Sequence, residues 1–157
     1  MFFGNPDAAF RDLRRAVRQR GRLAFLCWRA MADNPWVAVP VAALRTVLPP
    51  PPRPGPEDPG PFSFADRARV ARIISAGGFS PPRFEQANFQ MRTKGAPAKA
   101  AKLVTQIGPA SRMLRDAPEG LRSAALAAVA EAIAPLSAKR EVRPPASAWV
   151  VTADGQN

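Results

Sequence analysis

Gly21-Arg22-Leu23-Ala24-Phe25-Leu26-Cys27-Trp28-Arg29 is the stretch on which the fold turns. From Leu23 to Trp28 the run is almost continuously apolar. A short run of this kind, bounded by Gly21 and Arg29, predicts a strand buried on both faces. Ahead of it, Asn5-Pro6 predicts a helix start. Asn5 offers a side-chain oxygen to the orphan N–H groups, and Pro6 suits the first helical position. Phe10, Leu13 and Val17 follow at i, i+3 and i+7 as an apolar stripe. Arg11, Arg14, Arg15 and Arg18 share the opposite face, and Gly21 is placed to end the helix. A basic amphipathic helix that leads into a buried strand is the α-to-β step of a parallel α/β sheet.

Downstream, Asn34-Pro35 predicts a second helix with Trp36, Val39, Ala43 and Val47 at helical spacing, with Pro40 kinking it or confining it to its C-terminal part. The proline run from Pro49 to Pro61 predicts an extended, polyproline-like surface excursion rather than a domain boundary, because the helix–strand pattern resumes beyond it. Asp66 is positioned to cap a helix whose buried face is Val70, Ile73 and Ile74, with Gly77-Gly78 as its stop. A strand is expected around Arg83 to Met91. Residues 96–114 read as helix in two pieces broken at Gly108-Pro109, and Pro118 opens an alanine-rich helix striped by Leu126, Val129, Ile133 and Leu136. Ala146 to Thr152 reads as a last strand, and no internal repeat is visible.

The composition excludes several chemistries. With 46% hydrophobic and 22% charged residues the chain is of a globular class. At 157 residues it would bury about 70% of the surface its unfolded form exposes. Histidine is absent, which removes a Ser-His-Asp triad and the commonest zinc ligand from this sequence. Cys27 is the single cysteine, so no internal disulfide forms, which agrees with a reducing, cytoplasmic setting. No apolar run approaches the roughly 18 residues of a membrane span, and Met1 to Pro6 has no secretory pattern, so no membrane partner is expected. The net charge is +11, carried mostly by arginine. Abundant arginine, alanine and proline together point to a GC-rich coding sequence, so part of that charge reflects codon usage.

The order of elements resembles the C-terminal part of the class I S-adenosylmethionine-dependent methyltransferases, of the kind related to ubiquinone and menaquinone biosynthesis. In that family the sheet ends with three strands, and the last inserts antiparallel between the two before it. Phe2-Phe3-Gly4-Asn5-Pro6-Asp7-Ala8-Ala9-Phe10 resembles the family's segment after strand four, and Leu13-Arg14-Arg15-Ala16-Val17 its next helix. Gly21-Arg22-Leu23-Ala24-Phe25 resembles the turn into strand five, although Gln19-Arg20-Gly21 keeps one glycine of the usual proline-glycine-glycine. Cys27-Trp28-Arg29 with Asn34-Pro35-Trp36 is similar to the loop that follows strand five in one subgroup. Phe62-Ser63-Phe64-Ala65-Asp66, Arg69-Val70 and Ala76-Gly77-Gly78-Phe79 resemble the helix before strand six, and Ala148-Trp149-Val150-Val151-Thr152-Ala153 resembles strand seven. Arg67-Ala68 stands where the family has a proline and a second acid.

The resemblance implies an α/β fold: a partial doubly wound, Rossmann-like sheet of the last three strands with flanking helices and helical insertions. Residues 1–157 would be the C-terminal portion of one methyltransferase domain, with a proline-rich excursion at 49–61. It implies methyl transfer from S-adenosylmethionine to a small-molecule acceptor. It also implies that the cofactor half is missing here, since no glycine-rich turn opens a helix; Gly77-Gly78 closes one instead. The chain alone would then be inactive or dependent on a complementing chain. The strand at Leu23 to Trp28 would lack its strand-four neighbour and expose an apolar edge open to self-association.

Catalytic and cofactor-binding residues are not assignable within this sequence. Trp28, Asn34 and Trp36 are candidates to line an acceptor pocket, because loops at strand ends are where such folds place ligands; packing of the insertion is the competing reading. Cys27, with no histidine to activate it, reads as a buried strand cysteine. The arginines between Arg11 and Arg18 read as a solvated helix face, and the proline run as a linker. The alternative to an enzyme is a basic module that binds nucleic acid nonspecifically or a protein partner, with salt-dependent binding as its mark. No motif for sequence-specific nucleic-acid recognition is present.

Overall fold

The computed structural model describes residues 1–50, 55 and 58–156. Along the chain run α1 (Pro6–Ala16), β1 (Arg22–Trp28), α2 (Pro35–Leu44), α3 (Arg67–Ala76), β2 (Arg83–Gln90), β3 (Thr93–Lys94), α4 (Pro97–Val104), α5 (Gly108–Arg115), α6 (Glu119–Ile133), β4 (Ser137–Ala138), β5 (Glu141–Val142) and β6 (Pro145–Asp154). This mixed α/β chain divides into two compact units. The first comprises Met1–Ala30, Pro54–Ala87 and Ser147–Asn157; the second comprises Met31–Arg53 and Asn88–Ala146.

The first unit is organised by a three-stranded sheet in the order β1–β6–β2. The last strand of the chain is therefore the central one. It runs antiparallel to β1, with Leu23 opposite Ala153, Phe25 opposite Val151 and Cys27 opposite Trp149. Side chains alternate across a strand, so these residues share one face. Phe10 of α1, Val70, Ile73 and Ile74 of α3, and Phe64 and Phe79 bury themselves against that face. Three rings interlock there: Phe10 lies 5.7 Å from Phe25 and 5.9 Å from Phe64, and Phe25 lies 6.3 Å from Phe64.

Several expectations hold. Asn5 Oδ1 accepts the Ala8 N–H, and Asp66 caps α3 by accepting from Ala68. Gly77 ends α3, and Gly78 turns the chain with φ +89°. Others are corrected. Arg22, Ala24 and Leu26 of β1 face outward, and Leu26 keeps 62% of its surface exposed. The strand is thus not buried on both faces, because α1 and α3 both contribute to the same side of the sheet. Nor is there a doubly wound parallel sheet among the described residues: β1 stands at the edge and pairs with the antiparallel β6. The first helix ends at Ala16, capped by the Val17 N–H on Leu13, not at Gly21. Gly21 serves a close approach instead. A Cβ there would meet Val17 Cγ1 at 2.7 Å and the Arg18 carbonyl oxygen at 2.9 Å.

Arg14 is no solvated residue either. Its Nε donates to the Gly78 carbonyl at 3.2 Å, Nη1 to the Val17 carbonyl at 2.9 Å, and Nη2 to the Gln156 carbonyl. One guanidinium thus satisfies carbonyls at the ends of α1, α3 and β6, a job its fixed fork of donors suits.

The second unit is helical, with α2 and α4 both against α6 and α5 against α2. Its interior is filled by Trp36, Val37, Val41 and Leu44 from α2, Ala100 and Ala101 from α4, and Ala125, Val129 and Ile133 from α6. Helix α2 runs through Pro40, and its buried set is 36, 37, 40, 41, 43 and 44; Trp36 and Ala43 of the expected stripe are buried, whereas Val39 and Val47 are only half-buried. On α6, Ala125 takes the fully buried place expected for Leu126, which is only half-buried. Alanines on both α4 and α6 supply small surfaces where the two helices meet. Gly108-Pro109 opens α5 rather than breaking a helix, since Pro suits a first turn; the break falls at Thr105 to Ile107. Three two-residue strands in the order β3–β5–β4 were not foreseen; they are too short to leave a periodic signal. Of the expected polyproline path at 49–61, residues 51–54, 56 and 57 lie outside the described residues.

Candidate functional site

The carboxyl end of β1 and the start of β6 bring together an arginine–aromatic cluster in the first unit. Arg29, the first residue after β1, donates from its backbone N–H to the Ser147 carbonyl at 3.2 Å and from Nη1 to Ser147 Oγ at 3.1 Å. Its guanidinium lies 4.8 Å from the centre of the Trp149 ring. Arg67, at the start of α3, lies 5.3 Å from the same ring and 5.0 Å from that of Phe84. The Trp149 indole N–H donates to the Ala65 carbonyl at 3.3 Å, and Phe84 meets Trp149 edge-on at 6.1 Å. Each part follows from local sequence. Ser147, Trp149 and Val151 alternate onto one face of β6, and Asp66 starts α3 so that Arg67 projects from its first turn.

A guanidinium over an aromatic face is attracted to the ring's negative quadrupole, so these contacts hold Trp149 and Phe84 in place. The cluster contains no general base. Cys27 offers no nucleophile, since burial pushes its thiol up to about 11 and Sγ donates to the Phe64 carbonyl at 3.4 Å. Among the described residues no group of three or more His, Cys, Asp or Glu side chains could hold a metal.

Of the residues singled out from sequence, Asn34 and Trp36 are joined directly: the Trp36 indole N–H donates to Asn34 Oδ1 at 3.0 Å. Asn34 is fully buried and Trp36 nearly so, both in the second unit at the start of α2. Asn34 thus spends its side-chain oxygen on the indole and not on capping α2. Trp28, half-buried, closes β1 in the first unit opposite Ala148. Sequence reading missed Arg29, Arg67 and Trp149 as a group. Only the position of Arg29 directly after the strand hinted at it.

At the other end of the sheet a cavity of about 400 Å³ is lined by Arg22, Ser80, Arg83, Glu85, Thr152 and Asp154. Arg22 Nε donates to Asp154 Oδ1 at 2.9 Å, and this hydrogen bond holds the Asp154 carboxyl below its ordinary range. This cavity adjoins the amino ends of β1 and β2, whereas open α/β sheets place ligands at the carboxyl ends.

Compared with models of known protein families and with curated proteins, the sequence matches none. No helix among the described residues is long and apolar enough to cross a membrane.

Proposed function

We propose that the chain is the C-terminal part of a class I α/β methyltransferase, the portion holding the last three strands of a doubly wound sheet. More specifically, it is read as related to the enzymes that methylate small-molecule acceptors with S-adenosylmethionine. The observation that carries this reading is the strand order. The final strand, β6, sits between β1 and β2 and runs antiparallel to β1. That is the arrangement the resemblance implies for the last three strands. The placement of α1 and α3 on one face of the sheet supports it further. Both long insertions also leave the sheet at the carboxyl ends of β1 and β2, the side where such folds bind ligands.

On this reading the acceptor side is the carboxyl end of β1. Trp28, the last residue of β1, stands there, followed directly by Arg29. The residues present do not fit S-adenosylmethionine. Among the described residues no glycine-rich turn opens a helix, and Gly77-Gly78 closes α3. Methyl transfer therefore requires cofactor-binding strands from further N-terminal chain or from a separate polypeptide. In either form β1 gains a neighbour at its free edge.

The test is to isolate the native protein from its source cells through a C-terminal tag. Its intact mass and any co-purifying chain are recorded, and it is titrated calorimetrically with S-adenosylmethionine. The expected result is saturable binding by the native material and none by residues 1–157 alone. Native material that does not bind S-adenosylmethionine refutes the reading.

A further inference from the structure

Between Glu85 and Asp116 the chain contains no acidic residue, yet it carries Arg92, Lys94, Lys99, Lys102, Arg112 and Arg115. The fold gathers part of this charge at one place in the second unit. Lys94 of β3 pairs in register with Glu141 of β5, and the two-residue turn Lys139-Arg140 joins β4 to β5. The Gly95 N–H donates to the Arg140 carbonyl at 2.9 Å. Gly95 has φ +117°, and the stem of Lys99 lies across it, 2.9 Å from where a Cβ would stand. Lys94, Lys99, Lys139 and Arg140 thus surround one end of the small sheet, all exposed.

The nearest acid is already engaged. Glu141 accepts from Arg92 and from Arg143, each at 2.9 Å. Among the described residues none of Lys94, Lys99, Lys102, Lys139 or Arg140 forms a salt bridge. The turn is also one that sequence statistics disfavour. Lys139 and Arg140 hold φ of +48° and +61°, where Asn-Gly is the low-cost choice. Long cations are thus kept at a position that charges a conformational penalty.

The outward face of α4 and the turn after it carry exposed aliphatic side chains. Helix α4 buries Ala100 and Ala101 and turns Lys99, Lys102 and Leu103 outward. Leu103 keeps 44% of its surface exposed, and Ile107 in the following turn 47%. Lysines whose stems lie beside exposed aliphatic side chains match a lipid interface, where the aliphatic groups enter the acyl boundary and the ammonium groups reach anionic headgroups. A nucleic-acid backbone would engage the charges but offers nothing to Leu103 and Ile107, and no aromatic side chain in this patch provides a base-stacking platform.

We infer that this face of the second unit is a peripheral docking surface for anionic phospholipid bilayers. A peripheral contact needs no spanning segment, so the absence of an apolar run in the sequence does not bear on it. The inference does not rest on the methyltransferase reading; a failure to bind S-adenosylmethionine leaves it standing.

The experiment is flotation of the full chain with vesicles of phosphatidylcholine mixed with phosphatidylglycerol, and with phosphatidylcholine alone, at low and high salt. Retention is expected on the anionic vesicles only, falling with salt. Each cation removed should lower partitioning about fivefold, so Lys99→Gln with Lys139→Gln together lowers it roughly 25-fold. Lys99→Arg with Lys139→Arg should restore it. Leu103→Ser, which keeps the charge, should cost about fivefold. Circular dichroism melting verifies that each variant is folded. Equal retention on neutral vesicles, or no retention on anionic ones, overturns the inference. So does an unchanged Leu103→Ser variant combined with lysine-dependent binding to duplex DNA, which would make the surface a nucleic-acid site.

Discussion

Replacing Lys139-Arg140 by Asn-Gly should make the protein more stable while weakening its hold on anionic surfaces. Both central residues of this turn sit at positive φ, +48° and +61°. For an L-residue with a Cβ the left-handed region costs about 1–2 kcal/mol per residue. Glycine at 140 removes its share, and asparagine at 139 lowers its own through local hydrogen bonding. Against this, glycine loses about 0.5–1 kcal/mol more conformational entropy on folding than alanine does. The net gain is about 1–2 kcal/mol. For a chain of this size each kcal/mol shifts Tm by about 2–4 °C. The expected rise is therefore roughly 2–8 °C by calorimetry, with a matching increase in the urea midpoint and an unchanged slope. The variant also loses two cations of the exposed cluster, so vesicle retention should fall as Tm rises. A variant whose Tm stays level or drops would refute the strain argument. It would mean that the long side chains at 139 and 140 contribute packing that outweighs the cost of their backbone conformation.

Four further outcomes follow from the same geometry. Phe10→Ala empties the ring cluster with Phe25 and Phe64 and should cost about 3–5 kcal/mol in denaturant unfolding. Gly21→Ala forces a Cβ to within 2.9 Å of the Arg18 carbonyl, which is backbone and cannot rotate away, so a loss of about 1–3 kcal/mol is expected. The Glu141 carboxyl is held below its ordinary value of 4.5 by hydrogen bonds from Arg92 and then Arg143. Its stabilising contribution is present above that value and is lost as pH falls through the lowered one, so Glu141→Gln should flatten the acid side of a Tm-against-pH profile. Cys27, with its thiol pushed up to about 11 by burial, should resist iodoacetamide near neutral pH until the protein is unfolded, as intact mass will show.

Local signals were legible wherever one residue type does one local job. Asn5, Asp66 and Gly77 mark helix ends in the sequence and do so in the structure, because caps act over three or four residues. Val70, Ile73 and Ile74 were recognisable as a buried face for the same reason. Periodicity misled where two faces compete. In α2 nearly every residue is apolar, so spacing alone could not choose Val37 and Val41 over Val39 and Val47. In β1 the continuous run concealed which side the helices take. The Arg29–Trp149–Arg67 cluster was hidden because its members are far apart along the chain: Arg29 reaches Trp149 through the pairing of β1 with β6, and Arg67 reaches it from α3.

By itself the sequence determined the number and kind of the larger elements, the absence of histidine chemistry and the excess of positive charge, since these depend on composition and on neighbours a few residues apart. Tertiary structure alone decided that the last strand is the central one, that β1 has one exposed face, and that Lys94, Lys99, Lys139 and Arg140 gather at one end of the small sheet, where Glu141 is already engaged by two arginines. Those facts come from strand pairing and side-chain packing between distant segments, where backbone hydrogen bonds and buried area are won jointly, and no local window of residues contains both partners.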